Sequence, residues 1–135
     1  MKSNILVPLA ILSLIGCATP YQSVGTAGGF SYSQYDEKIF EVTFSGNIYT
    51  TVDQVRDYAK LKGAELCVDS GYSYLTILNS ESHSSAVITE PSGLTWESSF
   101  PSAKIKLECF DTNSKNSRSY DANALSSELK KKYNF

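Results

Sequence analysis

The sequence predicts an α+β domain, a mainly antiparallel sheet of four to five strands packed by one central helix, with a short C-terminal helix. Three observations carry that expectation. Phe30 and Tyr32, and then Phe40, Val42 and Phe44, alternate with polar residues, the period-two signature of half-buried strands. After Thr51 the apolar residues recur at helical spacing instead. The resulting order, β-β-α-β-(β)-β-α, mixes strands with one long helix, which suits helices gathered on one face of an antiparallel sheet.

The first two strands read as a β-hairpin, with Asp36-Glu37-Lys38 as its turn and Gly46-Asn47 as its end. Thr51 and Gln54, three apart, form a capping box, and Asp53 suits the positive end of a helix. Val52, Val55, Ala59, Gly63 and Leu66 fall on one stripe, where small Ala59 and Gly63 let the helix lie close to a sheet. Leu61, Ala64 and Val68 make a second, smaller stripe, and the C-terminal segment is its expected cover. Ser70-Gly71 supplies the stop, with Gly71 in the left-handed cap position. Tyr72 to Leu78 is a third strand. Asn79 to Ser85 is polar throughout and reads as a loop, Ala86 to Thr89 as a short edge strand, and Glu90-Pro91-Ser92-Gly93 as a turn. In Ala103 to Phe110 the residues Ala103, Ile105, Leu107 and Cys109 share one face, and Lys104, Lys106 and Glu108 the other. Thr112 to Ser119 reads as a polar loop. Asp121 then caps a last helix whose apolar line is Ala122, Leu125, Leu129 and Tyr133.

The first residues belong to a different class of segment. Lys2 gives a positive start, and Ile5 to Ile15 form an apolar run broken by Pro8 and Ser13. At about eleven residues the run is too short to span a ~30 Å hydrocarbon core, and it has the length and flanks of a signal-peptide apolar segment. It ends Leu14-Ile15-Gly16-Cys17, which resembles the lipobox of bacterial lipoproteins: a thiol to take a diacylglycerol thioether, a small residue before it, and an aliphatic residue three back. At about 0.8 kcal/mol per buried methylene, two acyl chains anchor stably where one does not. Ala18 stands where an aspartate would resemble an inner-membrane retention signal, which points to the outer membrane, facing the periplasm. Residues 1–16 are therefore expected as signal peptide, 17–29 as lipidated cysteine and flexible tether, and 30–135 as one globular domain. Ala18 to Gly29 is small and aperiodic, and as a flexible tether it would hold the domain on the order of 20 Å from the bilayer.

Cleavage before Cys17 leaves 119 of 135 residues, enough for one modest core, with 11 basic against 14 acidic side chains. That balance argues against a nucleic-acid partner, which needs a clustered basic footprint. The one basic run, Lys130-Lys131-Lys132, falls where a final helix turn complements the dipole. With Cys17 lipidated, Cys67 and Cys109 remain; an even pair in an exported domain reads as a disulfide, ahead of two reduced core cysteines or a reactive pair.

Several segments together carry a resemblance: Gly28-Gly29-Phe30-Ser31-Tyr32; Phe44-Ser45-Gly46-Asn47, Tyr49-Thr50; Asp57-Tyr58-Ala59, Leu61-Lys62, Ala64-Glu65-Leu66; Gly71-Tyr72 and Tyr74; and the closing Tyr120-Asp121-Ala122 to Tyr133. They resemble an uncharacterised family of small Gram-negative lipoproteins, over roughly residues 28 to 80 and the C-terminus. The resemblance implies location and fold and no mechanism. Where the family pattern has an arginine before the Ala-Glu pair, this chain has Lys62-Gly63.

No reactive constellation stands out. His83, the single histidine, lies in a serine-rich stretch that reads as solvated, since a triad is assembled in space from separate elements. There is no phosphate loop opening a helix, no H-E-x-x-H and no C-x-x-C. Glu65 and Asp69, four apart, read as a solvated helix face rather than a carboxylate pair. Tyr49, Tyr58, Tyr72 and Tyr74, with Trp96, suit core and sheet packing or, as the alternative, a binding surface. The expected function is a non-enzymatic, membrane-anchored envelope lipoprotein, a binding or scaffolding module without metal or cofactor. Its expected partners are membrane lipid and an envelope protein. The alternative is an inhibitor or stress sensor acting on a periplasmic enzyme or signalling protein, for which a protruding Ser80 to Ser102 segment would be the natural instrument. A hydrolase centred on His83 ranks behind both.

Overall fold

Alternating side chains set the first hairpin, β1 (Gly29–Gln34) against β2 (Ile39–Ser45), antiparallel from Gly29 opposite Ser45 to Gln34 opposite Phe40. The structure, a computed structural model, describes residues 17–26, 28–112 and 118–135. The expected signal peptide lies outside the described residues. Helix α1 (Val52–Asp69) follows, opened by the capping box: Thr51 Oγ1 accepts from the Gln54 N–H, and Gln54 Oε1 from the Thr51 N–H. It stops at Ser70, with Gly71 at φ 88°. Strands β3 (Tyr74–Thr89), β4 (Thr95–Phe110) and β5 (Ser119–Asp121) and helix α2 (Ala122–Tyr133) complete the fold. The sheet order is β1-β2-β4-β3-β5 with every pair antiparallel, so the chain is α+β as expected.

The core lies between the sheet and α1. Phe40, Val42 and Phe44 of β2, Leu75 of β3 and Ile105 and Leu107 of β4 are buried against Val55, Ala59, Ala64 and Leu66 of α1. Gly63 marks the closest approach, because a Cβ there would collide with Leu107 Cδ2. Cys67 and Cys109 form a disulfide, with sulfurs 2.05 Å apart, joining α1 to β4 across 42 residues of chain. By chain entropy such a closure stabilises the fold by about 4 kcal/mol. Helix α2 packs on α1. There Asp57 accepts from both Lys132 Nζ and the Tyr133 hydroxyl, each at 2.7 Å; of the second stripe, Leu61 is fully buried, while Ala64 belongs to the core cluster and Val68 packs against it.

Several expectations are corrected. Asn79 to Ser85 is not a loop, nor Ala86 to Thr89 a separate edge strand: both belong to β3, with bulges at Ile77/Asn79 and Ser84/Ala86. β4 likewise begins at Thr95, eight residues before the expected start. The polar stretch lacks a core beneath it, so backbone pairing with β4 and the turn Glu90–Leu94 hold it instead of a hydrophobic face. Ser119 to Asp121 pairs with Thr76 to Tyr74 as β5, a strand too short to leave a pattern. Residues 17–23 are not a free tether but are docked on the domain through hydrogen bonds to Asn47, Thr50 and Phe30.

Beyond Ser45 opposite Ser102, β4 has no β2 beside it, and β3 from Ser84 to Thr89 pairs only with β4. The two strands therefore run past the sheet as a two-stranded ribbon, roughly 20 Å long at 3.3 Å per residue.

Candidate functional site

Cys17 is exposed at the end of the sheet from which the ribbon departs. Its carbonyl accepts from Asn47 Nδ2 at 2.9 Å. Thr19 is 1% exposed: its N–H donates to Thr50 Oγ1 at 2.8 Å, and its own hydroxyl accepts from the Asn47 N–H at 2.7 Å. Thr50 Oγ1 donates in turn to Asn47 Oδ1, which also caps the Tyr49 N–H. The Gly46-Asn47 turn and Thr50, just ahead of the α1 capping box, thus form a polar socket for the residues after Cys17.

The next residues lie along β1. The Phe30 N–H donates to Gln22 O at 2.7 Å, and the Val24 N–H to Phe30 O at 2.8 Å. Gly29, at φ 130°, faces the carbonyls of Gln22 and Ser23 so closely that a Cβ would strike both. A side chain at this position would therefore lift the segment off the sheet. Tyr21 packs on Phe30 and Tyr58, with ring centroids 5.1 and 5.7 Å away, and its hydroxyl donates to Glu65 Oε2 at 2.8 Å. Burial, then the hydrogen bond and charge of Glu65, push the Tyr21 phenol far above its ordinary range. Tyr133 is pushed up to about 12, by burial first and then by Asp57.

The five aromatic residues considered for a binding surface are not brought together. Tyr58 is 6% exposed, at the centre of an edge-to-face cluster with Phe44 and Tyr133; it is a core residue, because its stripe faces both the sheet and α2. Tyr49 is 57% exposed beside the start of α1, while Tyr72 follows its end, roughly 27 Å away by helical rise. Tyr74 is half-buried and stacks on Phe110. The backbone of Trp96 pairs with Ile88, and its side chain lies outside the described residues. His83 is exposed on β3, opposite Ser102. Glu65 bonds Tyr21 and Lys130, while Asp69 is exposed. Among the described residues, no group of three His, Cys, Asp or Glu is placed to hold a metal, and no helix is long and apolar enough to cross a membrane.

A feature that sequence reading missed lies between α1, β3 and β5. An open cleft of about 320 Å³ is lined by Arg56, Lys60, Ile77, Ser80, Arg118 and Tyr120. The Arg56 guanidinium is fixed by Asp53 at 3.2 Å and Ser82 Oγ at 3.3 Å. An adjoining cleft of about 420 Å³ shares Lys60 and Tyr120 and carries Asp57, Asp121 and Glu128. The i, i+4 spacing of Arg56 and Lys60 was a readable signal; the arrival of Arg118 beside them depends on β5.

Comparison of the chain with protein-family profiles, with curated proteins and with solved structures finds no match.

Proposed function

We propose that this chain is a non-enzymatic lipoprotein of the bacterial envelope, acylated on Cys17 and belonging with the small Gram-negative lipoproteins it resembles. One observation carries the reading. The lipobox cysteine is exposed at the edge of the folded domain, while the other two cysteines are bonded to each other inside it. A thiol outside the core is what lipid transfer needs, and a buried disulfide suits an oxidising compartment. Docking of residues 17–23 sharpens the picture: the acyl chains would hold the domain directly against the bilayer, without a tether's clearance. Ala18 favours the outer membrane. The segments of the resemblance have structural parts to play, with Gly28-Gly29 and Gly46-Asn47 receiving the N-terminal segment and Asp57, Tyr58 and Glu65 binding the two termini to α1. Metabolic labelling with a fatty-acid analogue tests the proposal. The native chain should take the label and fractionate with outer membranes, and Cys17→Ser should lose both; a Cys17→Ser chain that still labels overturns it.

The ribbon of β3 and β4 favours a second reading, an inhibitor or sensor that engages a periplasmic protein. Its base lies at the Cys17 end, so a partner gripped by it would itself sit near the membrane surface. Replacing residues 86–98 by a two-residue Asn-Gly turn should abolish crosslinking to such a partner in cells. Crosslinks that survive the replacement exclude this reading.

A further inference from the structure

We propose that the cleft between α1, β3 and β5 binds a phosphate group, held by Arg56, Lys60 and Arg118 with Ser80 as a hydroxyl donor. Arg56 and Lys60 are one turn apart on the same face of α1, and Arg118 reaches the cleft from the far side of β3, just before β5. Three cations converge on one cleft in a chain whose net charge is −2, and among the described residues no carboxylate lines it. Among the described residues neither Lys60 nor Arg118 is in an ion pair, and the partner of Arg56, Asp53, is 83% exposed outside the cleft. Asp53 offsets Arg56 only from a solvent-exposed position, so three like charges facing one cleft repel one another, and an arriving anion relieves that repulsion.

The number and directions of the donors select the chemistry. A planar carboxylate is met along its edge by one guanidinium, whereas a tetrahedral phosphate offers oxygens toward several sides and carries up to two charges. The pre-positioned Arg56, with its fixed guanidinium, suits such an ion, and Tyr120 and Ile77 wall the cleft. Asp57, Asp121 and Glu128 in the adjoining cleft repel any anion that extends that way, which restricts the bound group to a single phosphate. A phosphate monoester in solution and the phosphodiester of an anionic phospholipid headgroup share the tetrahedral anionic phosphoryl group, the diester with one charge and two free oxygens. The inference does not depend on acylation, and a Cys17→Ser chain should bind equally well.

The test titrates the full chain in an uncharged maltoside detergent, once with inorganic phosphate and once with the soluble phospholipid dihexanoylphosphatidylglycerol, followed by calorimetry. Saturable binding of at least one is expected, weakened about tenfold by Lys60→Ala or Arg118→Ala and restored by Lys60→Arg. Phosphate binding alone supports a soluble ligand, and tighter binding of the phospholipid supports a headgroup. Both residues are at least partly solvent-exposed, so unchanged thermal melting keeps the comparison clean. The proposal is overturned if neither probe binds at millimolar concentration, or if the Lys60→Ala/Arg118→Ala chain binds as well as the native one.

Discussion

Thr50 shows how much of this fold turns on one hydroxyl. Its Oγ1 accepts from the Thr19 N–H and the Asn47 N–H and donates to Asn47 Oδ1, in a setting only 5% exposed. Thr50→Val keeps the shape and removes all three bonds. Taking one partner from buried donors costs about 1–3 kcal/mol, so the midpoint of denaturant unfolding should fall accordingly. The effect should also be local: amide exchange at Thr19 should quicken while that of α1 stays slow, and residues 17–23 should become open to protease. Thr50→Ser retains the oxygen and should behave nearly as the native chain. Equal exchange at Thr19 in the Val and native chains would show that the socket does not hold the segment.

Elements meet most tightly where Gly63 of α1 faces Leu107 of β4. Alanine is favoured over glycine inside a helix by about 1 kcal/mol, but forcing a methyl into a packed core costs about 1–3 kcal/mol. Gly63→Ala should therefore destabilise the domain despite its better helix propensity. Leu107→Val, which withdraws the colliding group, should reduce that penalty, so the double variant should be more stable than the sum of its parts implies. Strict additivity in chemical unfolding would contradict the contact. This helix is also where the sequence was most legible. Its capping box, stripe of small residues and glycine stop are local signals, and they occur where they were read. β2 and the second half of β4 were legible for a similar reason, since each alternates over a core, whereas β1 was legible from its residue types alone, with Tyr32 exposed in the fold. Ser80 to Ser85 and β5 were not, because a polar stretch held by backbone pairing with β4 carries no hydrophobic alternation, and three residues carry no period. Thr19 and Tyr21 were hidden among small residues, since each finds a partner distant in sequence. The basic cleft was half legible: Arg56 and Lys60 share a helix face, while Arg118 joins them only through tertiary structure.

Over the whole molecule, the outer face of α1 gathers the two ends of the described chain through matching polar groups. Tyr21 donates to Glu65, which Lys130 also approaches at 3.5 Å; Tyr133 and Lys132 both donate to Asp57. In each case a phenol and an ammonium share one carboxylate, so the N-terminal segment and α2 are fastened to the same helix. Burial and Glu65 raise Tyr21, burial and Asp57 raise Tyr133 from 10.0 to about 12, and the hydrogen bond to Asp57 raises Lys132. All three groups bind protons more tightly in the folded chain than in the unfolded one. Stability from this source is therefore complete below the ordinary tyrosine value and is lost as pH rises through the raised ones. The melting temperature should hold level through neutral pH and fall steeply between about 10 and 12. The phenolate absorbance of Tyr21 should appear only as the domain unfolds, since its folded-state value lies highest. A Tyr21→Phe/Tyr133→Phe chain should be less stable at neutral pH yet decline more gently in alkali, because it no longer has those protons to lose. If the native and double-variant curves run parallel above pH 10, the phenol–carboxylate bonds do not couple the two ends of the chain to α1.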